Sequence, residues 1–181
     1  VLGMVFNAGN YYTIKAMLTI TIPSKIAEEL ARRGIDAETY IIDLLSRNLG
    51  VDPEIAAEAH VELALKYLEE GRGLIDKDPV QASEKLYKAV EEVVKALTIH
   101  YRLGDILDRV NKRGRWTVTE LEKAVEAISE RLGDWFNTAW DKANYLHVWG
   151  FHEAKLDTTA VRLRLPDIER VVKDAQRVIQ R

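Results

Sequence analysis

All four prolines stand where a helix can begin, and they divide the chain before any other signal is read. Proline lacks an N–H and has a fixed φ, so it does no harm in a first helical turn and disrupts any later one. Ser24 follows Pro23, Asp52 and Asp78 are capping residues directly before Pro53 and Pro79, and Pro166 opens the last apolar-periodic stretch. With no proline inside a periodic segment, the chain is expected to be almost wholly helical.

The apolar spacing fills in the helices. Two short ones are expected over roughly 24–33 and 37–49, ending at Gly34 and Gly50, with Asp36 capping the second. A long helix over about 53–71 carries Ile55, Ala59, Leu63 and Tyr67 on one stripe and is expected to stop at Gly71 and Gly73. Its partner, over about 79–102, carries Leu86, Val90, Val93, Val94 and Leu97, and the short connection implies an antiparallel hairpin. Thr119 and Glu122 read as a capping box for a helix over about 120–132. From Trp135 to Trp149 apolar residues fall on nearly every face, as in a helix at the centre of a bundle, and a last helix covers about 167–180.

Leu18, Ile20 and Ile22 alternate with Thr19 and Thr21, the pattern of a short strand. The fold class read from the sequence is therefore all-α: an antiparallel bundle of four to five core helices over 51–181, preceded by a strand and two short helices over 17–50. Residues 1–16 form an extension without amphipathic period, read either as an ordinary disordered or strand-forming N-terminal segment or as residues upstream of a natural start at Met17.

Composition removes several function classes. In 181 residues, 47% are apolar, enough for a real core, and 26 basic against 29 acidic residues leave a net charge of -3. No global field holds such a chain on nucleic acid or an anionic membrane, so either contact needs a local patch. The absence of cysteine excludes disulfides, thiolate metal sites and cysteine nucleophiles. No apolar run reaches the roughly 18 residues of a membrane span and no secretion signal is seen, so the expectation is a cytoplasmic protein without membrane contact. Gly-x-Ser-x-Gly, Gly-x4-Gly-Lys and Gly-x-Gly-x-x-Gly are all missing, and no cofactor is assigned.

Three blocks carry a family likeness: Asp78-Pro-Val-Gln-Ala-Ser-Glu-Lys-Leu-Tyr-Lys-Ala-Val-Glu-Glu-Val-Val-Lys-Ala-Leu97, Gly114-Arg-Trp116 and Leu146-His-Val-Trp-Gly-Phe-His-Glu153. Together they resemble the archaeal PaREP family over about residues 23–172. The helical hairpin of that family resembles HEPN (higher eukaryote and prokaryote nucleotide-binding) domains, which are small dimeric bundles. The likeness implies a homodimer, a nucleotide or RNA as ligand, and a nucleotidyltransferase on a separate chain as partner. Some HEPN proteins are ribonucleases with an Arg-x4-6-His motif. Here no arginine precedes His147 or His152 at that spacing, and Lys142 stands in its place without the planar fork that grips phosphate.

His147, His152 and Glu153 form the most suggestive cluster, with His147 and His152 as the candidate acid and base. In a continuous α-helix residues five apart lie about 140° apart, so the two imidazoles converge only if the helix ends near Gly150. Lys142 and Glu153 would line the same site. Gln81 and Lys85, with Lys88, form a polar stripe for an anionic ligand, or a solvated face paired with Glu84, Glu91 and Glu92. Arg109, Lys112, Arg113 and Arg115 place four cations within seven residues ahead of Trp116, which suits phosphate and a stacked base, or else a loop anchored by the tryptophan.

His60 and His100 lie on the two long helices as surface or capping residues, and no metal ligand set is assigned. The strand and two helices also resemble a ribbon-helix-helix DNA-binding module. Five basic and five acidic residues between Lys15 and Gly50 leave it little attraction for phosphate. The leading function is thus a binding or regulatory module, with RNA cleavage and DNA binding as the alternatives.

Overall fold

The computed structural model describes residues 19–180. The chain divides into two compact units with the boundary between Ala37 and Glu38. The extension over 1–16 and the start at Met17 lie outside the described residues. In the first unit Thr19 to Pro23 lead into α1 (Ser24–Arg32) without strand pairing, so the expected strand is not formed within the described residues of this single chain. Helix α1 buries none of its residues. It ends at Gly34, whose φ of 65° accommodates the left-handed turn.

The second unit is built on α2 (Ala37–Leu49), α3 (Pro53–Leu74), α4 (Pro79–His100), α5 (Gly104–Arg113), α6 (Val118–Leu132), α7 (Asp134–Tyr145), α8 (Thr158–Arg162) and α9 (Leu165–Ile179). A π-helical segment, Leu146–His152, continues directly from α7. The described residues are all-helical. The prolines act as the sequence implies: Asp52 caps Glu54 N at 2.8 Å and Asp78 caps Gln81 N at 3.0 Å, each just ahead of its N1 proline. Asp78→Ala should lower stability by about 1 kcal/mol, the usual worth of such a cap, measured by urea unfolding.

Helices α3 and α4 form the antiparallel hairpin, and α6, α7 and α9 pack around α4. The centre of the bundle is α4 rather than the Trp135 to Trp149 stretch. Leu86, Val90, Val93, Val94 and Leu97 are wholly buried on α4, whereas Tyr145, Val148 and Trp149 are exposed at one end of α7 and its continuation. The apolar residues of that stretch split into a core face of Phe136, Ala139, Trp140, Ala143 and Leu146 and a surface face.

Three boundaries differ for physical reasons. Helix α3 runs through Gly71 and Gly73 to Leu74, because Gly71 is a contact glycine: a Cβ there would meet Leu86 Cδ2 at 2.8 Å. The cap of α6 is Thr117, whose hydroxyl pairs with Glu120, two residues before the expected Thr119 and Glu122; Glu122 instead accepts from Trp140 Nε1 at 2.9 Å. The basic run is not a loop, since Arg109, Lys112 and Arg113 lie on α5, anchored through buried Ile106 and Val110.

Candidate functional site

The two densest blocks of the sequence likeness meet in space. Gly150 of the π-helical segment lies against Ser83 of α4 so closely that a Cβ would overlap Ser83 Oγ and stand 2.5 Å from Ser83 Cβ. Gly150 is therefore a contact residue, and the chain remains helical past it. This approach sets His147 against α4. Its Nδ1 lies 2.7 Å from Glu84 Oε2, and its ring stacks on Tyr87 with centroids 4.1 Å apart.

The π geometry brings the second histidine alongside. Hydrogen bonds in a π-helix link residues five apart, as in Glu153 N to Val148 O at 2.9 Å, so positions that diverge on an α-helix stack on one face. His152 Nε2 consequently stands 3.0 Å from His147 Nε2, the rings nearly perpendicular at 77°. The expectation that the helix must end for these imidazoles to converge is replaced by a change of helix type.

The result is a chain of three groups, Glu84, His147 and His152, running from a mostly buried carboxylate to a solvent-exposed imidazole. Glu84 accepts the Nδ1 proton of His147, which leaves Nε2 of that ring directed at His152. One proton can occupy the gap between the two Nε2 atoms. Burial, then the nearby Glu91 carboxylate, pushes the Tyr87 phenol far above its ordinary range, so it stays protonated and serves as a packing surface for His147.

Beside this chain, α4 supplies cations. Lys85 Nζ pairs with Glu70 at 2.5 Å and lies 4.8 Å from the Tyr67 ring centre, and Lys66 and Lys88 lie within 6 Å of the same centre, at 5.9 and 5.7 Å. Lys88 Nζ is also 4.0 Å from Glu84 Oε1, which joins the lysines to the histidine chain.

The other sequence candidates are placed as follows. Lys142 pairs with Asp167 of α9 at 2.5 Å, Glu153 is exposed after the last π turn, and Gln81 is exposed on α4. Arg113 lies 3.7 Å from Glu120, Arg115 is exposed, and Trp116 packs against the core as an anchor. Arg109 opens on a cleft shared with Arg102 and Lys123. His100 pairs with Glu54 at 3.0 Å, whereas His60, expected at the surface, is wholly buried. Among the described residues no three histidine, aspartate or glutamate side chains converge to hold a metal ion.

Glu84 is the residue that sequence reasoning missed. It reads as one of several surface carboxylates on α4, and only its place inside the Gln-Ala-Ser-Glu-Lys block sets it apart.

Both blocks that build the site fall within residues 59–172, the stretch matched by the model of the Archaeal PaREP1/PaREP8 family. The chain belongs to that family. Among solved structures, this PaREP1/PaREP8 member is similar to the crystal structure of a Sulfolobus solfataricus protein, at 36% identity and a TM-score of 0.59 over 63% of this chain and 93% of that one. It is also similar to the solution structure of the Orf c02003 protein, at 37% identity and a TM-score of 0.56 over 62% of this chain and 87% of that one. Neither is named for an activity, and no curated protein matches the chain. No helix among the described residues is long and apolar enough to cross a membrane.

Proposed function

We propose that this PaREP1/PaREP8 protein is a HEPN-like module that binds a nucleotide or RNA on the face formed by α4 and the π-helical segment, as a homodimer and without strong catalysis. The observation that carries the reading is the junction of Lys85 and Lys88 with the chain of Glu84, His147 and His152. Clustered ammonium groups suit phosphate oxygens, and an exposed imidazole beside them donates or accepts a proton on the same ligand.

The geometry also supports the reading of a module without strong catalysis. Cleavage of a phosphodiester by an acid and a base asks the two to flank the phosphate, and Nε2 atoms 3.0 Å apart leave no room for one between them. Lys142, the stand-in for the missing arginine, is held by Asp167.

The second reading, a metal-independent ribonuclease, is favoured by one specific feature. A carboxylate behind an imidazole fixes its tautomer, as in hydrolytic triads, and here Glu84 does so for His147, leaving His152 as the terminal base.

One experiment separates these readings. End-labelled single-stranded RNA is titrated with wild-type protein, the Lys85→Ala/Lys88→Ala variant and the His147→Ala/His152→Ala variant, with binding and cleavage followed together. Wild-type binding should weaken about tenfold in the lysine variant, and the slope of log K against log salt should shrink by about 1.4, the counterion release of two phosphate contacts. Cleavage that disappears in the histidine variant would establish the ribonuclease, and wild-type affinity retained in the lysine variant would overturn the binding face.

A further inference from the structure

The same pair of imidazoles has the geometry of a transition-metal clamp, independently of any nucleic acid. Bound zinc has Zn–N distances of about 2.0–2.1 Å, so two nitrogens in its tetrahedral shell stand roughly 3.3 Å apart. His147 Nε2 and His152 Nε2 are 3.0 Å apart, close to that spacing. His147 is held from two sides: Glu84 Oε2 lies 2.7 Å from Nδ1, and Tyr87 stacks against the ring. A carboxylate on the far nitrogen of a metal-bound histidine is the common outer-shell arrangement, because it fixes the tautomer with the Nε2 lone pair outward and raises its basicity.

We infer that His147 and His152 bind one divalent transition metal through their Nε2 atoms, with Glu84 as the outer-shell carboxylate and solvent in the remaining positions. The ion takes the place of the single proton between the two rings, and that proton moves to Nδ1 of His152, so both rings coordinate as neutral imidazoles. Imidazole donors select Zn²⁺, Ni²⁺ or Cu²⁺ over Mg²⁺ and Ca²⁺, which prefer oxygen. His152 is exposed, so the site is open to ions from solvent and its ring can turn by the small amount that convergence on a metal requires. The π-helical turn is the structural cause, since the same two residues on an α-helix would diverge.

The test is calorimetric titration of the full chain, stripped of metal with EDTA, using ZnCl2 and separately MgCl2. Wild-type protein should take up one Zn²⁺ per chain and should show no comparable response to Mg²⁺. His152→Ala should weaken Zn²⁺ binding by tenfold or more without altering the circular dichroism, since the side chain is exposed. Glu84→Gln should weaken it by about 10-fold, the lower end of the range for lost outer-shell partners. His100→Ala should leave it unchanged. Zn²⁺ affinity unaltered in His152→Ala, or lost instead in His100→Ala, would overturn the inference. No RNA is present, so this outcome stands apart from that of the nucleotide-binding proposal.

Discussion

Gly150→Ala should destabilise the protein by about 1–3 kcal/mol, the range for overpacking a close contact, and lower Tm by several degrees. The added Cβ has nowhere to go. It would overlap Ser83 Oγ, and Ser83 is wholly buried on the central helix with its hydroxyl bonded to Pro79 O at 2.7 Å. The π-helical segment must then move off α4, which separates His147 from Glu84 and Tyr87. Thermal and urea unfolding of Gly150→Ala, Ser83→Gly and the double variant check this. Ser83→Gly alone should cost about 0.5–1 kcal/mol as a helix-interior glycine. Removing the Ser83 side chain should restore most of the stability lost at Gly150, so the double variant should be more stable than the sum of single effects predicts. Strict additivity would mean that the two residues do not touch.

A second large effect is expected at the buried ionic cluster between α2, α3 and α4. Glu92, itself 1% exposed, accepts from Thr39 Oγ1 at 2.7 Å and Lys95 Nζ at 2.9 Å, and pairs with His60 Nδ1 at 2.6 Å. Asp43 lies 3.4 Å from the other nitrogen of His60, and Glu91 lies 2.6 Å from Lys95. Glu92→Ala removes the anion shared by two buried cations and should cost about 3–5 kcal/mol in urea unfolding near neutral pH. Glu92→Gln, which keeps the shape, tests the charge by itself.

The cluster also gives stability a pH signature. Burial opposes the charge on His60, but the hydrogen bonds that its ring donates to Asp43 and Glu92 outweigh it and raise the group to about 9. Its contribution is full below the ordinary histidine value of 6.5 and is lost as pH rises toward 9. For Glu92, burial opposes the charge, and Lys95 with His60 outweighs it, so the group lies below its ordinary 4.5. Its contribution is full above 4.5 and is lost as pH falls from there. Stability should therefore be greatest between about pH 4.5 and 6.5, and His60→Gln should flatten the alkaline limb.

Local rules act over a few residues, and they were legible. A proline preceded by aspartate starts a helix wherever the chain later goes, so the starts of α3 and α4 were readable from Asp52-Pro53 and Asp78-Pro79. The hairpin of these helices follows from their periodicity and short connection. The family likeness already lay in the two blocks that prove to pack together, and it singled out His147 and His152.

What the sequence could not express is which face of each element finds which neighbour. Gly71 and Gly150 look like helix stops along the chain, and become contact residues only because Leu86 and Ser83 press against them. His60 looks like a surface histidine until α2 brings Asp43 and α4 brings Glu92 to its two nitrogens. The angle between His147 and His152 depends on a π-helical turn rather than an α-helical one, a difference of one residue in hydrogen-bond register. Helix starts, apolar stripes and the histidine pair are written in residues a few positions apart. The geometry that joins Glu84 to that pair comes from a contact across 63 residues of sequence, which only packing in three dimensions brings about.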